Sequence, residues 1–242
     1  MTESFSAYDL LAPHYRAYAD LRKYYIEGVD RIVLDNLRGK AESLLDIGAG
    51  DGFRARDLAE KANIGRLVLA EPSSVMSELC RQNIGAEVWQ VPAENLPVNW
   101  GTFDAITCLW NVLGHIPSRE KRIQALRKMS MLLADNGQLF LDFNNRYNAR
   151  SYGYIKTAAR ALYDLVRPSD SNGDVDFTWD LAEQQIRTTG HVFTSSEVEN
   201  LIVESGLTIR ARYVVDYETG RKRRSILHGQ LLYLAAKAAG RE

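Results

Sequence analysis

The chain is poor in the features that mark specialised classes of protein. Only two cysteines, Cys80 and Cys108, occur in 242 residues. They form no CxxC pair, so the sequence indicates neither a disulfide framework nor a zinc site. Cys80 falls in a helical pattern and Cys108 in a strand, which reads both as buried thiols. Charge of one sign is lacking too. Thirty basic residues face 31 acidic ones, for a formal net charge of -1. That removes any global electrostatic case for nucleic acid or an anionic membrane. No run approaches the roughly 18 apolar residues that a bilayer-spanning helix needs. The opening MTESFSAYDL has no basic region followed by an apolar stretch, so no secretory leader is read there. The expectation from these absences is a cytoplasmic protein with no membrane partner. What remains is an ordinary globular mixture, 45% hydrophobic and 25% charged, long enough for one substantial core.

Organisation follows from periodicity. Tyr8, Leu11, Tyr15, Tyr18, Leu21 and Tyr25 recur at loose helical spacing, so residues 1–38 read as a helical arm. From residue 40 to 144, short apolar strands alternate with amphipathic helices. SLLDIG, RLVLAEP, EVWQVPA, FDAITCLWNV and QLFLDFN are the strands. Helices are expected over 53–62, 73–83 (capped by Ser73 or Ser74) and 118–133 (capped by Ser118), with ADNG as a turn before the fifth strand. This alternation predicts an α/β fold with a doubly wound, mostly parallel sheet covered on both faces. Residues 145–192 are less regular: a helix over 149–166 with Tyr152, Ile155, Ala159, Leu162 and Val166 as its apolar stripe, then short strands within 177–193. A final helix and two strands, 207–217 and 228–237, fill 193–242. The whole reads as a single domain.

The sharpest local signal is LDIGAGDG at 45–52, where a buried-looking strand gives way to three glycines. Phe53 and Arg54 follow, not the Lys and Ser/Thr of a nucleoside-triphosphate loop, and the third glycine comes too early for GxGxxG. Glycine removes the Cβ that holds a ligand off the backbone, and the next helix presents free N–H groups. The spacing therefore points to a ligand lying on the chain at the carboxyl end of a strand, with a tight structural turn as the alternative. Glu71 ends the second strand about 20 residues on, where a carboxylate accepts from both ribose hydroxyls; a solvated strand-end glutamate is the alternative.

In their order and spacing, LLDIGAGDG, LAEPSSVM, VPAENLP, FDAITCLWNVLGHI and LLADNGQLFLDF resemble the motifs of class I S-adenosylmethionine-dependent methyltransferases, across roughly residues 40–144. HVFTSSEVENLIVESGLTI resembles that family's helix before the last two strands. The resemblance implies a Rossmann-like, seven-stranded sheet and S-adenosylmethionine as cofactor. It places Asp46, Gly48 and Gly50 at the methionine part and Glu71 at the ribose. Pro72 and Met76 would flank the adenine, and Ala93 and Glu94 would meet its edge. Leu109 and Trp110, with Asn111, would close the fourth strand end beside the sulfonium.

Methyl transfer needs alignment and exclusion of water, with a base for an oxygen or protonated-amine acceptor. His115 is the candidate base and Asn111 a second polar candidate; packing, helix capping or a cofactor contact are their structural alternatives. Some small-molecule O-methyltransferases of the family carry acidic metal ligands before this histidine. Asn111 and Gly114 stand there instead, so no metal is expected. TCLWNV lacks the motif of the DNA amino-group enzymes. DFNNRYNARSYGYIK, after the fifth strand, offers Arg146, Tyr147, Arg150 and Tyr152 to a substrate, and 145–192 reads as a substrate lid. Tyr8, Tyr15 and Tyr18 of the arm are candidate lid contacts, with packing against the sheet as the alternative, and Trp179 is a candidate for the opposite wall. The basic turn GRKRRS (220–225) reads as a solvated hairpin tip. The leading expectation is methylation of a nitrogen or oxygen of a small metabolite. Methylation of tRNA or protein is the second reading, and a non-catalytic nucleoside-binding protein the third.

Overall fold

A computed structural model of the chain describes residues 4–37, 39, 41–180 and 185–238. The arm holds α1 (Ser4–Leu11) and α2 (Tyr15–Asp20), and leads into α3 (Lys23–Leu37). The alternating region then runs β1 (Ser43–Ile47), α4 (Phe53–Ala62), β2 (Arg66–Ala70), α5 (Ser74–Ile84), β3 (Glu87–Trp89), β4 (Phe103–Cys108), α6 (Arg119–Leu132) and β5 (Leu133–Phe143). Both expected serine caps form: Ser73 Oγ accepts from the Met76 N–H and Ser118 Oγ from the Lys121 N–H. The remainder is α7 (Ala149–Tyr152), α8 (Tyr154–Val166), β6 (Asp174–Asp180), β7 (Gln185–His191), α9 (Ser195–Glu204), β8 (Leu207–Val215), β9 (Lys222–Arg223) and β10 (Gln230–Lys237).

The main sheet has the order β3-β2-β1-β4-β5-β10-β8-β9. From β3 to β5 every neighbour is parallel, and β10 lies antiparallel between β5 and β8. Strand alternation divides the core. Leu139, Leu141 and Phe143 of β5 point to the face covered by α6 and α9, with Leu126, Met129, Val198 and Leu201. Phe140 points to the opposite face, with Leu44 of β1, Val29, Ile32 and Val33 of α3 and Leu58 of α4. The glycine loop, Glu71, Trp110 and Asn144 all follow carboxyl ends of parallel strands, so they share one edge of the sheet. Because β8 runs parallel to β5, Tyr217 joins that edge, and so does Gln230 at the start of the reversed β10.

Four features differ from the sequence reading. The sheet has eight strands, because part of the basic turn folds back: Lys222 and Arg223 pair with Val215 and Val214 as β9. ADNG is drawn into β5 as an irregularity, where the register with β4 jumps between Phe103 and Ala105. The helix over 149–166 breaks at Gly153, whose φ of 86° is outside the helical region. The apolar stripe of α8 faces outward, with Ile155 88% and Leu165 79% exposed. The short strands expected within 177–193 are the β6–β7 hairpin, whose tip, 181–184, lies outside the described residues. No helix among the described residues is long and apolar enough to cross a membrane.

Candidate functional site

A cavity of about 320 Å³ opens at this sheet edge. Its first half is laid down by β1, β2 and the segment after β3. Gly48 and Gly50 adopt φ of 71° and 58°. A Cβ at Gly48 would stand 2.4 Å from Val112, and one at Gly50 would stand 2.5 Å from the Tyr15 hydroxyl. The loop thus needs glycine on both conformational and steric grounds.

Three carboxylates reach this half. Asp46 accepts from the Thr107 hydroxyl (2.6 Å), and burial pushes its carboxyl up to about 6. Glu71 accepts from the N–H groups of Gly50 and Ser73, each at 2.9 Å. Burial raises it to about 7, against the pull of those two bonds. Glu94 lies in the 3-10 turn after β3, with Lys121 Nζ 3.5 Å from its carboxylate. Pro72, Ala93, Leu109 and Trp110 supply apolar wall between them.

The second half is aromatic. Tyr18 stacks on Trp110, with ring centroids 5.7 Å apart, and Tyr8 meets Trp179 edge-on at 5.1 Å. Phe177 and Trp179 come from β6. The arm is pinned over the site by polar contacts. Asp9 accepts from Ser73 Oγ (2.5 Å) and the Val75 N–H at the start of α5. Arg16 pairs with Asp51 of the glycine loop at 2.8 Å and lies over the Phe53 ring. A carboxylate at a helix N-terminus and a salt bridge beside it hold the tyrosines where they line the cavity.

His115 stands in the cavity wall, its Nε2 2.9 Å from the Tyr8 hydroxyl. Burial pushes the imidazole down to about 4, with a Thr189 backbone hydrogen bond acting in the opposite sense. The ring is neutral near pH 7, and the Tyr8 hydroxyl, whose own pKa is raised by burial, donates to it.

Trp110 and Asn111 both have φ of 63°, the left-handed region. They are held there by groups reaching across from other strands. Asp142 accepts from the Trp110 N–H (2.9 Å) and from the Tyr25 hydroxyl (2.5 Å). Asn111 Oδ1 accepts from the Asn144 N–H (2.9 Å), and its Nδ2 donates to the His191 carbonyl (3.3 Å). The Asn111 amide is therefore a latch between the β4 end, β5 and β7. Backbone engages both ends of the amide, which leaves one N–H and one oxygen lone pair for an acceptor.

Most of the expected residues come together. Asp46, Gly48, Gly50, Glu71, Pro72, Ala93, Glu94, Leu109, Trp110, Asn111, His115, Tyr15, Tyr18 and Tyr152 line one cavity. Four do not. Met76 is fully buried as part of the first turn of α5 and is not in the lining. Arg146 is turned away into ion pairs with Asp164 (3.1 Å) and Glu197 (3.2 Å), and Tyr147 donates to the same Asp164. Arg150 pairs with Asp216 at 2.9 Å. These three serve the packing of the 145–192 segment because internal carboxylates capture their polar ends. The sequence reading missed Arg22, Phe177, Tyr217 and Gln230 in the lining, and Thr107 and Asp142 behind it. No local pattern announces them, since each enters from a different stretch of chain.

The donor set fits S-adenosylmethionine. The glycine loop lets a ligand lie on backbone, Glu71 keeps oxygen lone pairs beyond its two backbone bonds for ribose hydroxyls, and Asp46 offers a carboxylate to an ammonium group.

A family model described as "Methyltransferase domain" matches residues 44–137. A curated mouse protein, "Probable tRNA methyltransferase 9B", is 29% identical over 136 residues, which is 56% of this chain. The chain spans 28% of that relative's length. Among solved structures, the CcbJ methyltransferase from Streptomyces caelestis superposes with a TM-score of 0.65 at 13% identity, covering 88% of this chain and 90% of that one. CalS10, an amino pentose methyltransferase from Micromonospora echinaspora solved with S-adenosylmethionine bound, gives 0.61 at 20% identity, covering 93% and 96%. The matched domain, the sheet order and the carboxylate-lined glycine cradle agree with the fold of class I S-adenosylmethionine-dependent methyltransferases.

Proposed function

We propose that the protein methylates a nitrogen or oxygen of a small molecule held in the aromatic half of the cavity. The observation that carries this reading is the continuity of one cavity, from the carboxylate-lined glycine loop to the tyrosines and tryptophans of the arm and hairpin. When bound, S-adenosylmethionine supplies an electrophilic methyl group on a good leaving group. The chain's own residues do the rest. The arm and hairpin cover the site and exclude water. The latched Trp110–Asn111 turn fixes the wall between the two halves. Neutral His115, through the Tyr8 hydroxyl it accepts from, takes up the proton that a hydroxyl or ammonium acceptor gives away.

The likeness to the amino pentose enzyme supports a small acceptor. The curated tRNA-methyltransferase relative and the basic segment 221–224 favour an RNA acceptor as a second reading. The two part cleanly in one assay. Protein is incubated with methyl-labelled S-adenosylmethionine and, separately, a panel of hydroxylated and amine-bearing small molecules and bulk tRNA. Label in a small molecule, reduced in His115→Ala, supports the proposal. Label confined to RNA replaces it with the second reading. Binding of S-adenosylhomocysteine with no transfer to either class favours a non-catalytic nucleoside-binding protein.

A further inference from the structure

At the far end of the cavity from the glycine loop, Arg22 enters the lining beside Tyr217 and Gln230. Its guanidinium lies over the Tyr217 ring, 4.9 Å from the centroid. Its Nε is buried without a hydrogen-bond partner, and Arg22 has no carboxylate partner among the described residues. Every other arginine named in the site is tied: Arg16 to Asp51, and Arg54 to Asp30. A buried guanidinium nitrogen left unsatisfied is costly, so an oxygen acceptor supplied from outside is strongly favoured there.

The surroundings have the same sign. Arg160 lies over the ring of Tyr152, another lining residue, and its Nη1 is likewise buried without a hydrogen-bond partner. Arg150 and Arg223 share one oxygen of Asp216, at 2.9 and 2.7 Å. Two arginines thus share one fully buried carboxylate, and Arg22 and Arg160 add two more guanidinium groups over the rings of Tyr217 and Tyr152. Topology keeps this cluster apart from Asp46, Glu71 and Glu94. Those lie at or after the carboxyl ends of β1, β2 and β3, whereas Tyr217 follows β8 and Gln230 starts β10, across β4 and β5. The basic turn thereby gains a role, because Arg223 is built into this end of the molecule.

We infer that the acceptor carries an anionic group, a carboxylate or phosphate, and that Arg22 binds it. The planar guanidinium, backed by the Tyr217 face, matches two oxygens of such a group. The flanking aromatic rings fit an apolar or ring-bearing body, and the cavity's enclosure by the arm favours a small molecule over a polymer. The inference rests on the methyltransferase reading, which makes this end of the cavity the acceptor's.

The test is calorimetry on the whole chain, with and without S-adenosylhomocysteine. The probes are 4-hydroxybenzoate, phenyl phosphate and the neutral 4-hydroxybenzamide. The acids are expected to bind about tenfold or more tightly than the amide, the gain of a charge-assisted hydrogen bond. Arg22→Gln should erase that ratio, and Arg22→Lys should keep part of it. S-adenosylhomocysteine affinity, unchanged in both variants, reports that the fold and the nucleoside end are intact. Equal affinity for acid and amide, no binding of either acid, or a preference that survives Arg22→Gln overturns the inference. Bulk tRNA that binds more tightly than both acids at the same ionic strength, and weakens in Arg22→Gln, overturns its small-molecule form. Loss of S-adenosylhomocysteine binding in the wild type would instead strike the family reading of the pocket, and the acid-to-amide ratio without it would still decide this inference.

Discussion

The nucleoside end of the cavity takes its polar groups from the ends of three successive strands: Asp46 near the end of β1, Glu71 after β2 and Glu94 after β3. The acceptor end draws on the arm, the β4 and β5 ends, the β6–β7 hairpin and the turn after β8. The first end consists of carboxylates already held by neighbours: Asp46 by a hydroxyl, Glu71 by two backbone N–H groups and Glu94 by Lys121. The second is a set of rings and one unpaired guanidinium. A site made from successive strand ends is nearly rigid before any ligand arrives. One closed by docking of a distant arm depends on a few polar pins such as Asp9 and Arg16. On the proposed function, choice of acceptor belongs to the second end.

Substitutions that hit one end and spare the other break this contrast. The largest expected effect is at the acceptor end. His115→Ala should lower turnover by roughly 100-fold, the typical contribution of acid–base help, while calorimetry shows unchanged affinity for S-adenosylhomocysteine. Equal turnover would remove His115 from the chemistry. At the nucleoside end, Gly48→Ala forces a left-handed alanine against Val112 and should weaken S-adenosylhomocysteine binding by about 10–100-fold. Unchanged affinity would show that the loop is a structural turn only. Glu71→Ala should cost the same ligand about 1–3 kcal/mol through lost hydrogen bonds to a charged group. Asn111→Ala tests the latch between the ends. It should lower unfolding free energy by about 1–3 kcal/mol, because the Asn144 N–H and the His191 carbonyl lose their partner. A denaturant midpoint equal to wild type would deny the latch.

The smallest effect is one of pH, and the two properties it touches move in opposite directions. Glu71, raised to about 7, must be ionised to serve ribose hydroxyls as an acceptor alone. Ligand affinity should therefore rise as pH goes from about 6 to 8, by less than tenfold per unit for one proton, and Glu71→Gln should flatten that rise. Folding stability responds with the other sign. Carboxyls raised on folding, Asp46 to about 6 and Glu71 to about 7, contribute stability that is full below their unfolded values and lost as pH rises through the folded ones. His115, lowered from 6.5 to about 4, contributes stability that is present above 6.5 and lost as pH falls toward 4. A thermal midpoint for the ligand-free Glu71→Gln variant that falls between about pH 6 and 8 as steeply as wild type would remove Glu71 from this balance.

Legibility in the sequence divided along the same line. Glycine at 48 and 50 and the acid at 71 were readable because φ above zero and a strand-end carboxylate are demands met within a few residues. Helix starts at Ser73 and Ser118 were readable for the same local reason. Arg146 and Arg150 were misplaced because charge in a strand-following segment says nothing about which carboxylate it will meet. Here Asp164 and Asp216 captured them.

By itself, then, the sequence determined the alternation of strand and helix, the parallel core and the glycine loop with its strand-end acid, since these follow from periodicity, backbone geometry and short-range spacing. Only the tertiary structure decided that Arg22, Phe177, Trp179, Tyr217 and Gln230 share a wall, that Asn111 is a latch, and that the basic turn becomes an eighth strand. Those outcomes depend on pairings between residues far apart in the chain, where packing and the capture of charge choose among many partners that local pattern leaves equal.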